Sequence, residues 1–422
     1  MSTKTYRLIA GILIVLMCIA ALFMIRNYMP LAKKLIAPAR SERKKVIVFT
    51  SSGGRGHTSA TEAIEEYLGN SYEVKPVYVL REVLQEIDFI HKVTGGSYYS
   101  EEMYNYFLAH KQVGLVKTMV YAGHVFLNLR RRAVERMIDA YIESETPDMI
   151  ISVMPTVNGM TQSVTNKHNI PFWIIPTDFD ASGFFFQLYK PQSDRFFINC
   201  ALQDEIVKRT FKPARIKPSQ FTYIGMPVRE QFLKQYNVAS IKQKYNVPTS
   251  KPVIMVMMGG RGAQAIERLA AQLVKLTTPA HLLLCIGKQA DVIDSIAALQ
   301  KAPGITLSII EFTPHIAELM AISDLFVTKS GGQSISEALY MGLPMLVDAT
   351  DQAIEWELLN RKVVEKRGFG ALVKRMHKLV PMVQEILDNP AQLAEWKANI
   401  QNLNLPNPRD GVRNQVRTLI GT

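Results

Sequence analysis

From Val46 onward, short apolar runs rich in Val and Ile alternate with longer stretches of helical period. Strands are predicted over Val46–Ser52, Val74–Leu80, Met149–Met154, Phe172–Asp178, Arg195–Cys200 and Phe221–Pro227. A second series follows at Val253–Met258, His281–Gly287, Ile305–Phe312, Leu325–Thr328 and Pro344–Asp348. Runs of this length, separated by helix-length stretches, predict parallel sheets built from βαβ units. Two such series predict two doubly wound α/β domains in tandem. The polar stretch Arg229–Pro252 interrupts the alternation and marks the boundary. The expected division is 46–228 and 229–422, with the C-terminal helices in the second part.

The first residues follow another pattern. Leu8 to Ile25, LIAGILIVLMCIAALFMI, form one uncharged apolar run of the length that spans a bilayer. Lys4 and Arg7 precede it, and Arg26, Lys33, Lys34, Arg40, Arg43, Lys44 and Lys45 follow it. The basic excess lies on the C-terminal side, which predicts a single-pass anchor with the bulk of the chain on the cytoplasmic side. A cleaved signal peptide fits less well, because Phe23-Met24-Ile25-Arg26 stands where small residues are needed. The expected order is a tail over 1–7, an anchor over 8–25 and a basic linker over 26–45, the linker lying against anionic headgroups.

Composition narrows the picture. The chain has 422 residues, 48% hydrophobic and 20% charged, which excludes a disordered or low-complexity protein. Its formal charge of +12 favours anionic partners. The basic residues bunch beside the apolar run and no recognition motif appears, so nucleic acid is not an expected partner. Cys18, Cys200 and Cys285 lie far apart and form neither a disulfide framework nor a zinc site.

Three glycine turns carry the candidate chemistry. Ser51-Ser52-Gly53-Gly54-Arg55-Gly56-His57 leaves a strand and opens a helix. Glycines there admit close backbone approach, and helix N–H groups attract anions. A histidine at a helix N-terminus stays neutral and available as a base, so His57 is a candidate catalytic group. Met258-Gly259-Gly260-Arg261-Gly262 repeats the form at the start of the second domain. The third turn is Thr328-Lys329-Ser330-Gly331-Gly332-Gln333-Ser334, continuing through Glu337 to Pro344. Its amides suit a diphosphate, with Lys329 adding charge, and Glu337 suits the two hydroxyls of a ribose.

These residues resemble glycosyltransferase family 28, shared by monogalactosyldiacylglycerol synthases, diacylglycerol glucosyltransferases and MurG. The resemblance covers about residues 46–375. It rests on the Lys329–Pro344 block, on Ile224-Gly225-Met226-Pro227-Val228-Arg229 at the junction, and on SSGGRGH. It implies the GT-B fold, two Rossmann-like domains facing a cleft, with a UDP-sugar in the second and a membrane acceptor at the first. By motif match Glu337 holds the ribose, Gln352 the sugar, and the amides of Gly331, Gly332, Gln333 and Ser334 the diphosphate. Gly259, Gly260, Arg261, Lys329 and Ser330 complete the donor side, with Arg229 at the junction. Gly53, Gly54, Gly56 and His57 lie near the reacting centre.

The sequence departs from the family at Gln333, at Ala353-Ile354-Glu355-Trp356 after Gln352, and at Phe179-Asp180-Ala181-Ser182-Gly183 after Thr177-Asp178. Asp178-Phe179-Asp180 has the DxD spacing, but it falls in the acceptor half. It is read as a strand-end pair with no metal, Asp178 orienting the acceptor or His57. No cofactor is expected. Aromatic residues crowd Tyr98, Tyr99, Tyr104, Tyr106, Phe107, Tyr121 and Phe126, near Lys111, Lys117 and Arg130–Arg132, with a second patch at Phe184–Phe186. They are expected to meet the lipid interface.

The reading is a membrane-anchored inverting transferase moving galactose or glucose from a UDP-sugar to a lipid, first of all diacylglycerol. The alternatives are a MurG-like N-acetylglucosaminyl transfer to a polyprenyl-linked precursor, a sugar-nucleotide epimerase, and a catalytically silent nucleotide-binding protein.

Overall fold

The computed structural model describes residues 43–422, apart from 111, 189–192, 215, 260 and 261. Two six-stranded sheets are present, both wholly parallel. The first contains β1 (Lys45–Thr50), β2 (Glu73–Tyr78), β3 (Met149–Ser152), β4 (Phe172–Ile174), β5 (Phe196–Asn199) and β6 (Phe221–Thr222), in the order β2-β1-β3-β4-β5-β6. The second contains β7 (Val253–Met257), β8 (Ala280–Gly287), β9 (Ile305–Glu311), β10 (Leu325–Thr328), β11 (Met345–Asp348) and β12 (Gly370–Val373), in the order β12-β11-β10-β7-β8-β9. The order reverses direction beside β1 and beside β7, so each sheet has a switch point where the strand ends open a crevice.

The central strands are apolar on both faces because helices cover both. Val46, Ile47, Val48 and Phe49 of β1 are all fully buried, as are Val253 to Val256 of β7. The principal helices that frame the crevices are α1 (Arg55–Leu68), α2 (Ser100–Ala109), α3 (Val113–Leu129), α4 (Arg131–Glu145), α5 (Asn158–Lys167), α6 (Ala263–Leu273), α7 (Gly332–Tyr340), α8 (Glu355–Lys366) and α9 (Pro408–Ile420).

The structure differs from the sequence expectations in four places. Several strands are shorter: β4 ends at Ile174, and β6 holds only Phe221 and Thr222. β12 was not expected at all. The C-terminal helices do not all stay with the second domain. α9 returns to the first, where Val412 and Val416 join one buried cluster with Ala60, Ala63, Ile64 and Tyr67. Arg413 Nε donates to the Tyr67 carbonyl at 2.6 Å, and Tyr72 Oη to the Gly421 carbonyl at 2.9 Å. Finally, Lys45, counted in the basic linker, opens β1 and pairs with Glu73 and Glu145 at 3.5 and 3.4 Å.

Among the described residues, no helix is long and apolar enough to cross a membrane. The span expected over 8–25 lies outside the described residues, as does the linker up to residue 42.

Candidate active site

The first glycine turn leaves β1 and bends into α1. Gly54 sits at φ +85°, backbone that a side chain would strain. His57 lies in the first turn of α1 with its Nδ1 2.7 Å from the Val153 carbonyl and 3.1 Å from Thr177 Oγ1. A carbonyl can only accept, so Nδ1 carries the proton and Nε2 keeps its lone pair. Burial pulls the imidazole below its ordinary range, while the Val153 carbonyl and the charge of Glu101 pull it back up. The result is a neutral base at neutral pH.

Thr177 and Asp178 lie past the end of β4 and reach across to the second domain. Asp178 Oδ1 accepts from the Gly332 amide at 3.2 Å and from Asn360 Nδ2 at 2.9 Å. Gly332 is the first residue of α7, so this carboxylate already occupies an amide at a helix N-terminus. Burial, and Glu357 nearby, push the Asp178 carboxyl up to about 7, against Asn360, Lys329 and the amide. A Cβ at Gly332 would lie 2.5 Å from the Thr177 carbonyl oxygen and 2.7 Å from Asp178 Oδ1, so only glycine permits this approach. A Cβ at Gly56 would meet Thr177 at 4.0 Å. The first and third glycine turns therefore both abut Thr177–Asp178.

The second glycine turn joins the same region. A Cβ at Gly259 would lie 3.2 Å from Lys329 Cε, and one at Gly331 3.3 Å from Lys329 Nζ. Lys329 Nζ pairs with Glu357 Oε1 at 3.3 Å, and Ser330 Oγ donates to Glu357 Oε2 at 2.8 Å. Burial opposes the charge on Glu357, but Lys329 and Ser330 outweigh it and hold the carboxyl below its ordinary range. Glu357 in turn raises Lys329. Lys329 thus enters the site already partly neutralised. Gly260 and Arg261 lie outside the described residues.

The remaining expected residues fall in two groups. Gln333 is buried and donates to the Pro227 carbonyl at 3.0 Å, and Ser334 follows it half-buried on α7. Glu337 pairs with Arg229 at 3.3 Å, and its side chain is only 5% exposed. Burial pushes its carboxyl up to about 7, against Arg229 and Gln333. In this arrangement Glu337 faces the junction arginine, the cation partner that a carboxylate this deep requires. Gln352 lies exposed in the loop after β11. Of the DxD-spaced pair, Asp178 is held by the Gly332 amide and Asn360. Asp180 Oδ1 accepts from the Ser182 amide at 2.9 Å, and the buried Phe179 stands between the two.

Four participants carried no motif. Asn360 is fully buried and ties the domains together: its Oδ1 accepts from the Phe179 amide at 3.0 Å, and its Nδ2 also donates to the Ser330 carbonyl at 2.9 Å. Glu357, Tyr104 and Glu101 are the others. Tyr104 lies against Gly53, and burial, then Glu357 and Asp178, raise its hydroxyl. Asn360 and Glu357 sit three apart on α8, which signals a shared face but not what it meets.

The expected aromatic surface divides. Val93, Tyr98, Tyr106, Tyr121, Val125 and Leu129 stand out from the helical region before and including α3, from 44% to 73% exposed. Phe184 instead is buried, and Phe186 stacks on His124 at 4.1 Å between ring centroids, so Phe184–Phe186 serve packing.

Residues 253–406 match the model of the glycosyltransferase family 28 C-terminal domain, and residues 57–228 match that of monogalactosyldiacylglycerol (MGDG) synthase. The chain is 24% identical over 385 residues to a processive diacylglycerol beta-glucosyltransferase of Bacillus subtilis strain 168, covering 88% of this chain and 94% of that one. The corresponding protein of Staphylococcus carnosus strain TM300 is 23% identical over 377 residues, covering 87% and 91%. Among solved structures, MurG of Acinetobacter baumannii superposes with a TM-score of 0.57 at 13% identity, covering 89% of this chain and 99% of that one. The calicheamicin glycosyltransferase CalG4 superposes with a TM-score of 0.59 at 13% identity, covering 90% and 99%. The two parallel-sheet domains are those of the GT-B fold, and the resemblance to family 28 and to its diacylglycerol transferases is borne out.

Proposed function

We propose, for a chain whose second half matches the family 28 C-terminal domain and whose first half matches the MGDG synthase model, the inverting transfer of a hexose from a UDP-sugar to a membrane-lipid hydroxyl, diacylglycerol foremost. One observation carries the reading: His57, with its Nε2 unprotonated, and the amide end of α7 both border Thr177–Asp178.

His57 Nε2 takes the proton of the acceptor hydroxyl. The oxygen forms its bond to the anomeric carbon as the bond from that carbon to the diphosphate oxygen breaks. UDP leaves with the electron pair, met by the amides that open α7 and by Lys329. The diphosphate takes the place of the Asp178 carboxylate at the Gly332 amide, and the displaced Asp178 turns toward the acceptor side. Arg229 and Gln333 release Glu337 toward the ribose in the same rearrangement. Closure around both substrates aligns them and keeps water from the donor.

The membrane side rests on sequence and surface together. The apolar run Leu8–Ile25 serves as the anchor, with the domains on the cytoplasmic side and the basic linker against anionic lipid. Tyr98, Tyr106, Tyr121, Val125 and Leu129 supply the apolar surface that dips into the interface. Glucose is the first candidate sugar, since the relatives along the whole chain are named glucosyltransferases.

The test is incubation of the full chain with labelled UDP-glucose or UDP-galactose and vesicles containing diacylglycerol, followed by separation of the lipids. Label in a monohexosyl-diacylglycerol supports the proposal. Label appearing only in a polyprenyl-linked acceptor, or in no lipid, overturns it.

A further inference from the structure

α2 has two unlike faces. Outward, Tyr106 is 55% exposed, Tyr98 just before the helix is 60% exposed, and Tyr121 on the neighbouring α3 is 73% exposed. Inward lies Glu101, 3% exposed. Its Oε1 accepts from Ser51 Oγ at 2.5 Å and from the Ser52 amide at 2.9 Å. Its Oε2 accepts from Ser52 Oγ at 2.7 Å and from Arg81 Nε at 3.0 Å. One turn later Asn105 closes a second clamp, accepting from the Gly54 amide at 3.0 Å and donating to the Ser52 carbonyl at 2.8 Å. A carboxylate taken this far out of water persists only with such a donor set, so its geometry is sharply fixed. Apart from Arg81, the groups it binds belong to the turn that runs into His57.

We infer that Glu101 is a positioning residue of the transfer: from the buried side of α2 it fixes the first glycine turn and thereby the His57 imidazole. The inference rests on His57 being the base. Glu101 acts in two ways. It sets where α1 begins, through Ser51 and Ser52. Its charge also favours the imidazolium, opposing the burial of the ring. The other charged or titratable groups around the pair are Arg81, which also pairs with Glu102 at 3.4 Å and covers the Tyr99 ring at 4.8 Å, Tyr104 on the same helix, Asp178 across Thr177, and Arg55 on α1, which pairs with Glu62 at 4.0 Å.

The experiment compares the full chain with Glu101→Gln, Arg81→Gln and Asn105→Ala. The titration of His57 is followed by NMR on labelled imidazoles, and kcat and donor KM are followed against pH. Glu101→Gln is expected to lower the His57 midpoint by about half a pH unit and to move the acidic limb of kcat with it. It also lowers kcat about tenfold, with donor KM within twofold. Arg81→Gln leaves the Glu101 charge less neutralised and moves the midpoint upward. Asn105→Ala loosens the turn and lowers kcat with no shift in midpoint. Opposite shifts in the first two variants would not arise from a merely structural role. Should Glu101→Gln fail to fold, an upward shift in Arg81→Gln and a lowered kcat in Asn105→Ala carry the inference. Midpoints that stay put, or that move the same way in both charge variants, overturn it. If the midpoints move as stated but no sugar nucleotide supports transfer, the reading of His57 as the base falls, while its positioning by Glu101 stands.

Discussion

His57 can take a proton only at Nε2, because the Val153 carbonyl claims the Nδ1 proton. Replacing it by Ala should lower kcat by about a thousandfold, within the usual range for a general base, while the binding of UDP-glucose persists. Turnover above one-tenth of the parent rate would remove His57 from the chemistry. The pH profile follows from the same ring. Burial depresses the imidazole, so the acidic limb of kcat that belongs to this ring should have its midpoint below the ordinary histidine value; a midpoint above that value would contradict it. Asp178 behaves in the opposite sense. Its carboxyl is pushed up to about 7, first by burial and then by Glu357, whereas an unfolded aspartate titrates near about 3.9. The folded state holds the proton more tightly, so this residue's contribution to stability falls as pH rises through that window. Asp178→Asn should therefore raise Tm relative to the parent at pH 8, with the gain shrinking toward pH 4. An equal change at both pH values would contradict the linkage.

At the scale of elements, the strands were legible where they are buried on both faces. Val46–Phe49 and Val253–Val256 are continuous apolar runs, and each is a central strand beside its sheet's switch point. The edges were not legible. β12 opens on Gly370 and has only its end residues buried, so it carries neither a run nor a clean alternation. Phe172–Asp178 reads as one strand, yet the chain leaves the sheet after Ile174 to carry Thr177 and Asp178 to the other domain. The glycine turns were legible because turns restrict residue type. Asn360 and Glu101 were not, because a buried polar residue is explained only by partners far away in sequence. α9 shows the same limit. The spacing of Val412 and Val416 announces a buried face, but not that it lies on α1. This docking is testable: Val412→Ala should cost about 1–3 kcal/mol in chemical unfolding. A change below about 0.5 kcal/mol would mean the helix adds little there.

At the scale of the whole molecule, the two domains interlock at several points. Asp178 meets Gly332, Asn360 meets Phe179, Gln333 meets the Pro227 carbonyl, Lys117 meets Glu355 at 3.2 Å, and Arg367 pairs with Asp204. α9 adds a strap from the C-terminal helices back to α1. Several of these contacts, those of Asp178 and Asn360 among them, lie past the strand ends, where doubly wound domains bind ligands. In the proposed binding mode a nucleotide displaces one of these contacts, since the amide at the head of α7 is already held by a carboxylate of the opposite domain. The most direct measurement is a crystal structure of the chain with UDP bound. The account predicts the diphosphate on the amides that open α7, with Asp178 moved off the Gly332 amide and His57 still on the Val153 carbonyl. UDP bound elsewhere, with the Asp178–Gly332 contact intact, would contradict it.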